Sequence, residues 1–413
     1  MNRPRALVIG GSLAGLFAAN LLRTIGWDVA VFERSRSDLS DRGAGLGAQP
    51  QLFAVMRHIG IRLDDSIGVE VTSRICLDRN GNALCEVPLR EVGTAWDRIY
   101  RALKHALPPE CCRPGMIFER LEQDEHKVTA LFADGSRAAG DLLVGADGVH
   151  SAVRQQLMPE LKPRYAGYVA WRGVVQETDV PPPFHDLLLH HMTFCFPANA
   201  MVLSMPVAAS ADSRRHGRRC QFVWCRPVDH EMTLSQMCTD AAGRGHGGSI
   251  APNLIRHELL SELGATAKAS LAPQIAWLVA HAEQPILSPI LDLQSPQVVF
   301  GRVALMGDAA FVARPHVGTG VTKAALDAKS LAEALAASHG DLSAKLKCYD
   351  SDRRRFGNWL VARGRRIGDH VEAQLRQSEP NDRGGLDPRH EVIMRELGAG
   401  GVIDGEPISA CCG

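Results

Sequence analysis

What the chain lacks narrows its class before any motif is considered. Across 413 residues no stretch reaches the roughly 18 uninterrupted apolar residues that a membrane-spanning helix needs. The early aliphatic run Ala6-Leu7-Val8-Ile9 meets glycine at once, too soon for the core of a secretory signal, so a cytoplasmic location is expected. A basic excess is missing as well, since 46 Lys and Arg balance 46 Asp and Glu. Sequence-independent nucleic-acid binders displace counterions from phosphates with surplus positive charge, and that class is excluded. Metal-ligand spacing is absent too: the 11 cysteines and 16 histidines form no C-x-x-C, H-x-x-x-H or H-E-x-x-H run, and no metal is expected. The cysteine count is odd, with adjacent pairs at Cys111-Cys112 and Cys411-Cys412. This reads as reduced structural thiols and not a disulfide scaffold.

What is present describes a folded protein. Apolar residues make up 45% and charged residues 22%, which rules out a disordered chain and suits two or three domains or one interleaved unit. The N-terminus reads as strand, turn, helix, strand. Arg5 to Ile9 is a short aliphatic run of the doubly buried kind, and Gly10-Gly11-Ser12 is the turn. Leu13 to Ile25 carries helical periodicity ended by Gly26, and Asp28 to Phe32 is a second strand closed by Glu33. A glycine-rich loop at Gly43 to Gly47 precedes a helix at 51–59. Residues 69–93 form a hairpin around Asn80-Gly81, and 96–106 a helix.

Further on, Val128 to Ala133, the Asp134-Gly135 turn and Leu142 to Val144 form a hairpin leading into a strand. The β-rich segments 165–176, 187–196, 200–207 and 219–226 predict a separate, mostly antiparallel sheet flanked by helices at 253–263 and 273–282. A strand at 297–306, a long helix at 318–337, a helix at 342–376 and a short tail helix near 389–397 complete the reading.

Three segments carry chemistry. Gly10-Gly11-Ser12-Leu13-Ala14-Gly15 sits between strand and helix, where unpaired N–H groups and the helix dipole favour a pyrophosphate. Gly10 permits the tight turn and Gly15 lets helix and strand approach. Ser12 replaces the usual second glycine. Glu33, closing the second strand, is placed for ribose hydroxyls. The same turn is one residue from the G-x-S-x-G nucleophile elbow, with Ser12 as nucleophile. An elbow there would lie on the first strand, and an oxyanion loop built by preceding chain is not expected, which disfavours a hydrolase. The second segment, Asp141 to Arg154, delivers the Asp147-Gly148 turn from a strand into a cationic helix start. The third places Asp308 after a buried strand (Gly301 to Met306), then Pro315-His316-Val317-Gly318-Thr319-Gly320 at a helix start, again tolerant of anions.

In this order and spacing the three segments resemble the class A FAD-dependent aromatic hydroxylases, with the para-hydroxybenzoate hydroxylase fold, over residues 5 to about 337. The Tyr165-to-Val174 strand with Trp171-Arg172-Gly173, the Arg314-Pro315-His316 run and Lys323 are similar to the hydroxypyridine-acting members. The resemblance implies an α/β fold in which a Rossmann-like FAD-binding domain (1–70, 96–160 and 285–340) is interleaved with a mostly antiparallel substrate domain (71–95 and 161–284), followed by a helical region and tail (341–413). It implies a cofactor set of Gly10, Ser12, Leu13, Gly15, Glu33, Arg34, Gln49, Asp147, Asp308, Pro315, Val317 and Gly318. In that set Ser12, Leu13 and Gly15 meet the pyrophosphate, Glu33 and Arg34 the adenosine, and Asp308 the ribityl chain. Backbone N–H groups around Val317 and Gly318 face the flavin ring.

The implied reaction is ring hydroxylation: tightly bound FAD is reduced transiently by NADH or NADPH, O2 adds, and a flavin C4a-hydroperoxide attacks an electron-rich aromatic or heteroaromatic ring. His316 is the expected base or substrate hydrogen-bond partner, Tyr168 a second one, and Arg172 either meets substrate or pairs with a carboxylate. His190 and His191 fall on opposite faces of a strand, so at most one faces the pocket. Three positions depart from the family pattern: Phe311 where histidine is common, Thr322 where asparagine is common, and Trp96 where arginine is common. The alternative is a flavin oxidoreductase of the same fold that inserts no oxygen; the W-x-W-x-I-P halogenase signature is absent. A homodimer is expected by resemblance alone, and no nucleic acid or membrane partner is.

Overall fold

A computed structural model of the chain describes residues 3–40, 45–64, 67–197, 200–209, 217–228, 231–246, 250–337, 340–377 and 388–398. Cys411-Cys412 and most of the tail lie outside them. The opening strand Arg5–Ile9 is central to a six-stranded sheet. Asp28–Glu33 and then Cys112–Pro114 add on one side, Leu142–Gly145 and then Val303–Leu305 on the other, all in parallel. The inner strands bury both faces, which is why they read as uninterrupted Val, Leu and Ile. The ends of Arg5–Ile9, Leu142–Gly145 and Val303–Leu305 thus carry the three motif turns to one edge of the sheet. That is where ligands bind in doubly wound folds.

The second sheet has nine strands, in the spatial order 311–312, 286–294, 164–176, 218–227, 201–208, 192–195, 68–77, 83–95 and 45–48. All pairings are antiparallel except that of Met192–Cys195 with Gly68–Leu77. Phe118–Gln123, Val128–Phe132 and Arg137–Gly140 form a small third sheet. The mixed α/β architecture expected from the sequence is therefore present.

Several boundaries differ, each for a local reason. The segment 187–196 is not all strand, because Leu187 to Leu189 belong to a helix, His185–His190, that buries Leu188 and Leu189 before the strand Met192–Cys195. Short buried helices and strands look alike by periodicity. His190 is then exposed, and His191 bonds Ser73 through Nδ1 at 2.7 Å. The expected strand 297–306 is two short strands, Val299–Phe300 and Val303–Leu305, folded back at Gly301 with φ +61°. Part of the glycine-rich loop, Gly45–Ala48, is the sheet's edge strand. The helix expected at 253–263 starts later, at His257–Ser270. The strand Ile286–Gln294, hidden in the sequence by Pro289, belongs to the nine-stranded sheet.

The long helix Leu342–Gln377 crosses from one sheet toward the other. Its Arg365 pairs with Asp292 at 2.6 Å, and Asn358 bonds Gln294 at 3.0 Å. Where it meets the segment 311–316 it carries glycine: Gly357 against the Phe311 ring, Gly364 against Arg314 N, and Gly368 against Arg314 and His316. A Cβ on Gly357 would lie 2.3 Å from Phe311 Cδ2, so helix and segment meet only because that side chain is missing.

Candidate active site

The first cavity, about 690 Å3, follows the motif turns. Gly10, Ser12 and Leu13 line one end, Glu33 and Arg34 the flank, and Asp147, Asp308 and Gly320 the far side. Gly10 adopts φ +107°, and a Cβ there would sit 2.4 Å from Ala146 O, so only glycine makes this turn. Gly15 does not line the cavity; its missing side chain lets the helix Leu13–Thr24 press on Gly10 O, where a Cβ would be 1.8 Å away. Ser12 caps that helix without a side-chain hydrogen bond. Glu33 accepts from Gly11 N and Ser35 N, both at 2.8 Å, and so holds the turn while bordering the cavity. Trp96, one of the departures, lines the same cavity and stacks on Tyr100 at 5.0 Å.

Asp147 accepts from Ala152 N and Val153 N through Oδ2, capping the helix Ala152–Leu157. Burial pushes its carboxyl above the usual range. Arg154, fully buried in that helix, donates to Ala309 O at 3.1 Å and Val149 O at 2.6 Å. The second motif is thereby tied to the third, a role the sequence showed only as a cationic helix start. Asp327 accepts from Gly307 N at 2.9 Å and fixes the turn that presents Asp308, whose exposed carboxylate stands 3.7 Å from the buried Lys323 ammonium.

The second cavity, about 570 Å3, shares Asp308, Gly320 and Val321 with the first and opens against the nine-stranded sheet. Phe194, Met201, Leu203, Met205, Val223 and Ile290 give it an apolar wall. Pro315, His316, Val317 and Gly318 form the opposite side. The N–H groups of Val317 and Gly318 are engaged within their own turn, by Arg314 O and Pro315 O. The N–H groups left unpaired here belong to the first turn of the helix Gly320–Ala336, whose Gly320 and Val321 border both cavities. Gln49 spans the two walls: its Nε2 donates to Gly318 O at 3.1 Å, and its Oε1 accepts from Thr322. The Thr322 departure therefore holds Gln49. Phe311 is buried against the long helix and lines neither cavity.

Tyr168 OH and His316 Nε2 are 2.6 Å apart, with the rings 5.5 Å between centroids. Tyr168 does not reach the chamber; His316 does. Burial, and the Arg314 guanidinium nearby, hold the imidazole's pKa down at about 4, so it is neutral at pH 7. Arg314 is itself paired, with Asp292 at 3.3 Å and Asp369 at 2.8 Å. Arg172 differs. It lines the chamber, its Nε is buried without a hydrogen-bond partner, and no carboxylate among the described residues pairs with it. Cys195 packs in the core behind the sheet and Met205 in the chamber wall. Among the described residues no cluster could hold a metal ion, and no helix is long and apolar enough to cross a membrane.

The donor set of the first cavity fits a flavin dinucleotide. The N-termini of the helices Leu13–Thr24 and Gly320–Ala336 border it, Asp147 Oδ1 is buried without a partner, and a Cβ on Gly148 or Gly320 would meet open space. Comparison with known proteins agrees. Residues 165–292 match the family model described as FAD binding domain-like, and 292–364 the one described as FAD binding domain. A 2,6-dihydroxypyridine 3-monooxygenase of Paenarthrobacter nicotinovorans is 31% identical over 89% of this chain and 91% of its own. The solved 2,6-dihydroxypyridine-3-hydroxylase of Arthrobacter nicotinovorans superimposes with a TM-score of 0.84, at 30% identity, over 94% of this chain and 97% of that one. A Klebsiella pneumoniae HpxO variant solved with FAD gives 0.74 at 25% identity, over 95% and 97%.

The chain belongs to the FAD-dependent aromatic-ring monooxygenases, the class A flavoprotein hydroxylases. It is an FAD enzyme that draws electrons from NADH or NADPH and puts oxygen from O2 into an electron-rich aromatic ring.

Proposed function

We propose that the ring is a hydroxypyridine or a comparably electron-rich nitrogen heterocycle, taken up as its anion. Arg172 carries this reading. A guanidinium left without a carboxylate at the wall of an apolar chamber is costly unless the ligand supplies the charge. The names of the relatives supply the ring class.

Bound FAD supplies the redox chemistry, accepting electrons from NADH or NADPH and activating O2. The chain's own residues hold and orient. Gly10, Ser12 and Leu13 with the helix behind them take the pyrophosphate, Glu33 and Arg34 the adenosine end, and Asp308 the ribityl hydroxyls; Asp147 serves mainly by fixing the second turn. The first turn of Gly320–Ala336 would place its positive end toward the bound flavin ring, where it would favour negative charge on the reduced cofactor. Gln49, Pro315, Val317 and Gly318 shape that ring's seat. His316, neutral and weakly basic, accepts or donates a hydrogen bond at the substrate's ring hydroxyl, with Tyr168 fixing its tautomer. The Met, Leu and Phe wall keeps water from the reacting atoms.

The same proposal puts the enzyme in the cytoplasm, which the unbridged described cysteines suit, as a homodimer. Its test is a panel of hydroxypyridines and hydroxybenzoates assayed with each nicotinamide cofactor under 18O2. Hydroxypyridines should stimulate cofactor oxidation and give product heavier by one labelled oxygen. Turnover confined to benzoates, or none at all, overturns the substrate assignment.

A further inference from the structure

Among the described residues, Arg74 is the one fully buried guanidinium of the nine-stranded sheet to which the reaction assigns no part. It lies on the strand Gly68–Leu77, and Glu91 on the neighbouring strand accepts from its Nε at 3.1 Å and from its Nη2. Its Nη1 is satisfied from far along the chain. There it donates to Met394 O, in the last turn of the tail helix Pro388–Glu396, and to Leu397 O just beyond it. Such carbonyls have no partner within their own helix, and a cation at that end also meets the negative pole of the dipole.

Two residues past the helix, Gly398 takes φ +80°, the left-handed turn that ends helices. Gly398 N then donates to His316 O at 2.9 Å. Leu397, Gly398 and Glu91 all line the substrate chamber. Ile393, Met394 and Leu397 are buried, and His390 stacks on Phe196 with ring centroids 4.3 Å apart. One short turn of the tail therefore touches a cation of the substrate sheet on one side and the backbone of His316 on the other.

We infer that Arg74 is a positioning residue that clips the Leu397–Gly398 turn into the chamber wall beside His316, completing the enclosure that keeps water from the reacting atoms. The dependence runs both ways. Without the tail, Nη1 of a buried guanidinium loses both acceptors; without Arg74, the helix end has no cation on its carbonyls. The consequence for coupling rests on the proposed hydroxypyridine substrate, but the clip itself does not.

The test uses the full-length, FAD-loaded protein with Arg74→Met and, separately, Gly398→Ala. A Cβ on Gly398 would lie 2.8 Å from Arg74 Nη2 in a backbone conformation side chains avoid, so it disturbs the clip while leaving Arg74 and Glu91 in the sequence. Hydrogen exchange at 393–398 should accelerate by at least about tenfold, as expected when charge-assisted hydrogen bonds are lost. Iodide should quench flavin fluorescence more strongly, FAD affinity should stay unchanged, and the share of NAD(P)H electrons released as H2O2 should rise several-fold with a higher KM. Unchanged exchange in folded Arg74→Met shows that Arg74 does not hold the tail. Faster exchange with parental quenching, coupling and KM shows that the turn is no wall. If Arg74→Met does not fold, Gly398→Ala decides by the same readouts. Exchange and quenching need no substrate, so a parent protein that turns over no hydroxypyridine refutes the substrate reading while these two still judge the clip.

Discussion

Acid should destabilise this protein through one imidazole. His316 is 6% exposed, and its pKa falls from the ordinary 6.5 to about 4 because burial and Arg314 oppose its charged form. Between those values the unfolded chain binds a proton that the folded one refuses. The contribution is thus fully present above the unfolded value and is lost as pH falls toward the folded one. The whole depression is worth about 3 kcal/mol, of which about 2 kcal/mol disappears between pH 7 and pH 5. Carboxylates also titrate there, so the informative quantity is a difference. His316→Asn keeps a hydrogen-bonding side chain for Tyr168 but cannot titrate. Urea denaturation at both pH values should show the parent losing about 2 kcal/mol more than the variant. Parallel losses in the two proteins would falsify the buried neutral imidazole and, with it, the hydrogen-bonding role assigned to His316.

Three further outcomes follow from the geometry. Gly10→Ala must place a Cβ against Ala146 O at φ +107°, so the purified variant should emerge with little or no FAD by its visible absorbance. Arg172→Gln should raise KM for an anionic ring by roughly tenfold to a hundredfold, the value of a charge-assisted hydrogen bond, while FAD content stays parental; an unchanged KM removes Arg172 from substrate binding. Gly357→Ala sets helix propensity, a gain of about 1 kcal/mol, against a ring 2.3 Å away, where overpacking costs about 1–3 kcal/mol. The clash should win, lowering Tm, and Phe311→Leu in the same chain should recover part of the loss.

The nucleotide-binding half was legible because its constraints are local. A glycine that must turn at Gly10, an acid that must close a strand at Glu33, and aliphatic runs that must be buried on both faces all leave marks within a few residues. Even the three departures are explained by position: Phe311 packs outward on the long helix, Thr322 holds Gln49, and Trp96 lines the cavity. The substrate side was less legible because its constraints are long-range. Nothing near Arg172 in the chain says that no carboxylate will reach it. Nothing near Arg74 announces acceptors more than 300 residues away. The helix His185–His190 and the strand Ile286–Gln294 were obscured for a simpler reason, since three consecutive leucines suit either structure and Pro289 argues against a strand that its neighbours nevertheless complete.

The missing side chains at Gly357, Gly364 and Gly368 make the long helix and the segment from Phe311 to His316 two halves of one mould. A recombinant made by crossing this chain with a relative between those halves, near residue 340, would inherit a die from one parent and a casting from the other. Functional hybrids should therefore come from exchanges that carry both stretches together, and the ring-facing turn should be hard to transplant alone.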